Sequence, residues 1–360
     1  MAARRRLVLA SQPLYAGVPH HVLDLVECAD PDDWAIDVAC PRESTLWPAL
    51  AGRAGIRLHP LGAARRPSPG DAASLARLAR LVARADVVHV HSAKAGFLGR
   101  VAAALRGRTQ HCAYTPHGWS FWAASGAEAA LYRRLERRAA HWCRAIVAVS
   151  ADERDAGLAA GVGRPEQYRL IPNGVDVERF GEAHEPVPGR VLFLGRLGPP
   201  KRADLALRAL ARVPGAELEV ANDGPDRAEL ERLASELGVV DRVRFLGFRN
   251  DVPALLARAS CLLVTSDYEA ASLVVPEAMA AGVPVVATRA GGVEEVLGGG
   301  GVVVERGDVE GVASALARVL GDGDEAARLG AAGRARARGE FTRERMVAST
   351  VALWEELAGG

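Results

Sequence analysis

The chain writes its cations almost entirely as arginine: 43 arginines stand against two lysines, Lys94 and Lys201. Lys201 closes the run Val191-Leu-Phe-Leu-Gly-Arg-Leu-Gly-Pro-Pro-Lys201, in which an apolar stretch ends at Gly195 and Arg196 follows at once. Two cations past a buried strand and just before a helical pattern suit a pyrophosphate. The guanidinium offers a planar fork, the ammonium a compact point charge, and the helix N-terminus adds its dipole. Ordinary surface charge is the plain alternative. The scarcity of lysine weighs against it at position 201.

A second set follows the apolar run 261–264. Glu269 falls in the next loop, and Glu277 lies eight residues on, in the first half of a helix. Ser272 or a residue beside it reads as the opening of that helix, and Pro276 is tolerable so near its start. Backbone N–H groups there suit phosphate oxygens, and two carboxylates can grip hydroxyls on different parts of a sugar-containing ligand. Acids at a helix start are common, so the spacing alone decides little.

Lys94 sits in Val87-Val-His-Val-His-Ser-Ala-Lys94, after a strand and at a helix start. His89 and His91 point to one face of that strand. A histidine pair suggests a metal, but no third ligand is near in sequence, and a polar strand end is the reading favoured. The five cysteines (28, 40, 112, 143, 261) show no C-x-x-C spacing, which points to reduced, buried thiols.

The elements that must position these residues are short apolar runs alternating with amphipathic stretches. Strands are expected at 7–10, 35–39, 56–59, 87–90, 112–115 and 146–149, with helices at 19–29, 71–84, 95–105, 127–142 and 151–160. A second series has strands at 190–194, 216–220, 243–246, 261–264, 283–287 and 301–304, with helices at 203–213, 227–237, 253–259, 274–280 and 309–320. Alternation of this kind implies βαβ units and parallel sheets. Ile171-Pro-Asn-Gly-Val-Asp176 and the proline-containing 182–189 read as a linker. The late segments 325–338 and 343–357 are helical, and Asp322-Gly-Asp324 reads as a turn and cap rather than a metal motif. The expected fold is α/β, two doubly wound Rossmann-like domains facing across a cleft. They comprise residues 1–175 and 176–342, and a helix at 343–360 crosses back to the first. Ligands then sit beyond the carboxyl ends of the strands.

Composition bounds the function. The 360 residues are 49% hydrophobic and 25% charged, an ordinary globular balance. No apolar run approaches the ~20 residues of a membrane span. Only four apolar residues follow Arg4-Arg5-Arg6, too few for a signal peptide. The net charge of +1 averages a first half at +7 and a second at −6. A basic half would suit an anionic ligand or membrane surface, and solvated helix faces account for it equally well. The rows Arg77, Arg80, Arg84 and Arg133, Arg134, Arg137, Arg138 invite the same two readings. No Walker loop, HExxH or G-x-S-x-G is present, and no G-x-G-x-x-G follows the first strand, which argues against a nicotinamide dehydrogenase.

Glu269-x7-Glu277 followed by Ala-Met-Ala-Ala-Gly-Val-Pro-Val-Val-Ala-Thr288 resembles the signature of family 4 glycosyltransferases, retaining nucleotide-sugar enzymes of the GT-B fold. Gly195-Arg-Leu with Lys201, Ile171-Pro-Asn-Gly-Val-Asp176, Asn222-Asp-Gly-Pro225, Gly291-Gly292, Ala16-Gly17-Val18 and Thr115-Pro-His-Gly-Trp-Ser-Phe121 extend the resemblance along nearly the whole chain. It implies that Arg196 and Lys201 neutralise the leaving diphosphate. Gly17, Ser272 and Leu273 bring backbone to the same phosphates. Glu277 holds the nucleotide ribose, Glu269 the donor sugar, and His117 the sugar and acceptor side. Lys94 and Trp119 would face the acceptor. No cofactor and no metal are expected, because fixed cations replace a metal at the departing diphosphate. The chain departs from the family at Ala270-Ala271-Ser272, where glycine-rich triplets are common, and at Asn222, which replaces a glycine.

The resulting expectation is a metal-independent, retaining hexosyltransferase using a UDP-sugar such as UDP-GlcNAc, or a GDP-sugar. Its acceptor would be a glycan, a lipid-linked saccharide or a specialised metabolite. Rival readings are a nucleotide-sugar epimerase on the same fold and a non-catalytic binding subunit. The chain is expected in a bacterial cytoplasm, with possible peripheral contact at an anionic membrane and no nucleic-acid partner.

Overall fold

The computed structural model describes residues 4–15, 17–64, 66–181 and 184–359. Ala16 of the first-loop motif and residues 182 and 183 of the expected linker lie outside them. The chain divides into two compact units, residues 1–173 with 344–360, and residues 174–343.

The first unit runs β1 (Arg5–Ser11), α1 (Gly17–Cys28), β2 (Trp34–Cys40), α2 (Leu46–Leu50), β3 (Ile56–Pro60), α3 (Gly70–Val82), β4 (Val87–His91), α4 (Ala93–Leu105), β5 (Cys112–Thr115), α5 (Gly126–Ala139), β6 (Ala145–Ala148), α6 (Ala151–Ala159) and β7 (Tyr168–Leu170). Its seven strands lie in the order β3-β2-β1-β4-β5-β6-β7, every pairing parallel. The second unit runs β8 (Arg190–Leu194), α7 (Ala203–Leu210), β9 (Glu217–Ala221), α8 (Arg227–Glu236), β10 (Val243–Gly247), α9 (Val252–Ala257), β11 (Cys261–Val264), α10 (Val274–Ala281), β12 (Val285–Thr288), α11 (Val293–Leu297), β13 (Gly301–Val304), α12 (Val309–Gly321) and α13 (Gly323–Glu340), and the chain then returns to the first unit with α14 (Arg343–Ala358). Its six parallel strands are ordered β10-β9-β8-β11-β12-β13.

The central strands are buried on both faces, which is why β1 from Leu7, β8 and β11 read as apolar runs without alternation, while β4 interrupts its valines with His89 and His91. Each sheet reverses its strand order once, between β1 and β4 in the first unit and between β8 and β11 in the second. Crevices open beyond the carboxyl ends at such switch points.

The sequence reading missed α2, α11 and β7, all five residues or fewer and too short for a period to show. The Ile171–Asp176 segment is not a free linker. Val175 N–H bonds Phe341 O at 2.9 Å and Arg343 N–H bonds Val175 O at 2.9 Å. A Cβ at Gly174 would stand 2.4 Å from Thr342 O, so only glycine lets these two backbones meet. α14 buries Trp354 in the first unit, edge to face with Trp34 at 5.7 Å. His111 Nδ1 bonds Leu357 O at 2.7 Å there as well. Asp322 caps α13 by accepting from Glu325 N–H.

Candidate active site

In the second unit two of the residues picked out by spacing, Lys201 and Glu269, meet at the β8/β11 switch point. Lys201 follows β8 and Glu269 follows β11, and the Lys201 ammonium donates to the Glu269 carboxylate. Ser266 Oγ donates to the same Glu269 oxygen at 2.6 Å. Lys201 packs along Gly195: a Cβ there would sit in ordinary contact, 3.4 Å from Lys201 Cγ and Cδ. Thr265 Oγ1 binds the carbonyls of Lys201 and Arg202 at 3.0 and 2.8 Å, tying the end of β11 to the start of α7. Arg202 holds a left-handed conformation (φ 51°) and forms ion pairs with Asp204 and Asp267.

Arg196 is half-buried beside Gly198 and makes no ion pair among the described residues. Its segment rests on the Asn222–Pro225 turn: Leu197 N–H bonds Asp223 O at 3.0 Å and Asp226 N–H bonds Leu197 O at 3.2 Å. Glu277 lies in the first turn of α10, half-buried. That helix is opened by Leu273, the neighbour of Ser272 and within the expected start, with no side-chain cap. Ser272 is buried one residue earlier. A serine caps only when its own backbone stands at the helix entrance, and here the chain enters one residue later.

In the first unit four imidazoles gather at the β1/β4 switch point. His89 and His91 are on β4, His117 follows β5, and His21 is on α1. The ring centroids of His21 and His117 are 4.7 Å apart, those of His91 and His117 5.4 Å, and those of His89 and His91 4.2 Å. Trp354 Nε1 donates to His89 Nδ1 at 3.1 Å, so the His89 proton is on Nε2, which donates to Thr115 Oγ1 at 2.8 Å. Burial pulls His21 down to about 4, with Asn173 opposing, and His89 down to about 3. Burial also holds His91 and His117 well below the usual range. The four are neutral at pH 7. The sequence reading set the pair aside for want of a third ligand; the fold brings His21 and His117 to His91 from two other elements.

His117 itself takes a left-handed backbone (φ 54°), followed by Gly118 (φ 101°). Glu153 on α6 anchors this loop, accepting from Gly118 N–H at 2.5 Å and from Val149 N–H at 2.9 Å. Burial raises Glu153 to about 7, and the two N–H donors oppose the shift. The sequence reading missed Glu153, although Ser150-x-x-Glu153 carries a capping spacing, realised here as Glu153 N–H to Ser150 Oγ at 3.1 Å.

Two acceptor-side residues are placed differently from expectation. Trp119 is 2% exposed, stacked on Phe121, with its indole N–H given to Glu153 O at 2.7 Å, so its ring belongs to the core. The Lys94 ammonium is held by Ala64 O, Arg66 O and Asp71 at 2.7 to 2.8 Å and latches the segment before α3. Gly17 begins α1, half-buried. The arginine rows are partly engaged: Arg77 with Pro60 O, Arg137 with Ala160 O, Arg133 over Phe121 and Arg138 over Trp142.

Residues 175–336 match the family described as Glycosyl transferases group 1, and residues 15–179 match Glycosyltransferase Family 4. A GDP-mannose-dependent alpha-(1-6)-phosphatidylinositol monomannoside mannosyltransferase of Mycobacterium tuberculosis is 32% identical over 309 residues, 75% of this chain and 77% of that one. The chain belongs to the group 1, family 4 glycosyltransferases. A lipopolysaccharide core biosynthesis glycosyltransferase of Rhizobium meliloti is 36% identical over 156 residues, 43% of this chain and 46% of the relative, so that match spans about half of its length. Among solved structures, Anabaena HepE in complex with UDP and glucose superposes with a TM-score of 0.83 at 22% identity, covering 97% of this chain and 99% of that one. The glycosyltransferase thus has the two-unit α/β architecture of the GT-B fold.

Proposed function

We propose that this glycosyltransferase moves a sugar from a nucleotide diphosphate sugar, a UDP-sugar such as UDP-GlcNAc, to a glycan, lipid-linked saccharide or specialised-metabolite acceptor. The reading includes retention of anomeric configuration and no metal requirement for the transfer. The observation that carries it is the joining of Lys201 and Glu269 at the β8/β11 switch point, with Arg196 on the same loop as Lys201. The cations would balance the charge that grows on the leaving diphosphate, in a site whose fixed groups need little reorganisation. Glu269 would hold donor-sugar hydroxyls and, until donor binds, keeps the ammonium oriented. Glu277 would take the ribose, and the first turn of α10, with Ser272 and Leu273 at its start, would add backbone N–H groups to the phosphates.

The first unit would receive the acceptor. His117 is the side chain there whose loop conformation is fixed by Glu153, and neutral imidazoles can hydrogen-bond hydroxyls without attracting stray anions. No helix of the described residues is long and apolar enough to cross a membrane. Peripheral contact with an anionic surface remains part of the proposal, through the exposed arginines of α3 and α5.

GDP-sugar use is the second reading, favoured by the mannosyltransferase relative. A donor panel separates the two. Purified protein with UDP- or GDP-sugars should show a rise in melting temperature and acceptor-dependent nucleotide release with one nucleotide class. Release without any acceptor and without sugar transfer would support an epimerase or hydrolase instead, and no donor-dependent shift at all would overturn the reading.

A further inference from the structure

We propose that His21, His91 and His117 form a three-imidazole site for a borderline divalent metal, with zinc as its best occupant. One ligand nitrogen from each lies within 4.8 Å of the other two. His91 Nδ1 and His117 Nε2 are 3.1 Å apart, near the separation of about 3.3 Å for two nitrogens bound to tetrahedral zinc at ~2.0–2.1 Å.

The chemistry of the donors fits. His21 and His91 are 3% and 0% exposed, and His21 Nδ1 is buried without a hydrogen-bond partner. Buried unpaired ring nitrogens are uncommon and call for an explanation. Asn173 hydrogen-bonds His21, the kind of outer partner that orients a metal-bound imidazole. His89 is not a fourth ligand, since both of its nitrogens are taken by Trp354 and Thr115. Three imidazoles with an open fourth position, and no thiolate among them, select zinc over magnesium or calcium. With its backbone held through Gly118 by Glu153, His117 makes the ångström-scale adjustment that closes the set by side-chain rotation.

All three ligands belong to the first unit, and zinc binding needs no donor. One consequence does rest on the transferase reading: a metal on His117 withdraws that ring from substrate, so zinc inhibits transfer and a chelator restores it.

The test is calorimetric titration of the full chain with zinc chloride, followed by cobalt substitution read by absorption. The wild type should take one zinc per chain, and cobalt should give the intense visible bands of a tetrahedral site. His21→Ala, His91→Ala and His117→Gln should each weaken zinc binding tenfold or more. His141→Ala, an exposed histidine elsewhere in the unit, should leave it unchanged. Circular dichroism of each variant checks the fold, and His117→Gln, a loop position, keeps the test open should the buried variants unfold. No stoichiometric zinc binding by the wild type, binding unmoved in a folded His117→Gln, or only weak octahedral cobalt bands would overturn the proposal. Loss of inhibition with binding intact would count against His117's role in transfer, leaving the metal site standing.

Discussion

Glu153 and Gly118, 35 residues apart, meet through a 2.5 Å hydrogen bond in which the glycine N–H donates to the carboxylate. That bond fixes the residue after His117, and the second oxygen of Glu153 fixes Val149 at the end of β6. One buried acid thereby sets the position of a loop that carries a proposed substrate-facing imidazole. Replacing it by alanine strands two buried N–H groups. We expect Glu153→Ala to cost about 2–4 kcal/mol of stability, read by urea denaturation, and to lower turnover through displacement of His117.

The pH behaviour of Glu153 has a definite sign. Burial raises its folded-state value to about 7 from 4.5 in the unfolded chain. The folded state therefore binds more protons between these values. The group's contribution is fully present below pH 4.5 and is lost as pH rises through 7. Melting curves of wild type and Glu153→Gln should accordingly diverge, with the wild type losing ground to the variant from pH 5 to pH 8. Parallel curves would refute the assignment.

The histidines act in the opposite direction. His21 and His89 titrate near 4 and 3 when folded but near 6.5 when unfolded. Their contribution is present above pH 6.5 and is lost as pH falls through 4. Stability should drop below pH 6.5, and the drop should be shallower in His89→Gln, measured against its own stability at pH 8.

Lys201 carries the transferase proposal. Lys201→Ala should lower kcat by about 10²–10³-fold if the ammonium stabilises charge developing on the leaving group, while leaving the fold intact by circular dichroism. Arg196→Ala should fall in the same direction. Unchanged nucleotide release in Lys201→Ala would remove the diphosphate role.

Gly224 tests how that loop is supported. A Cβ there would stand 2.0 Å from Leu197 O. Gly224→Ala should destabilise the second unit by about 1–3 kcal/mol and weaken donor binding, since Leu197 follows Arg196 directly. Thermal shift with and without donor separates the two effects.

The sequence by itself determined the doubly wound class, because strands buried on both faces must be written as apolar runs between amphipathic helices. It also marked Arg196, Lys201, Glu269 and Glu277, which stand next to those runs, where a motif and its element are contiguous. Tertiary structure decided the rest. His21, His91, His117 and Glu153 converge from α1, β4, the loop after β5 and α6, and only the strand order puts those elements side by side. Trp119 moved from substrate candidate to core residue, and Lys94 from acceptor contact to loop latch. A side chain's type states what it can bind, but burial and the neighbouring backbone determine what it does bind. Those neighbours are 20 to 35 positions away in the chain for Lys94 and Trp119, too far for any local pattern to show.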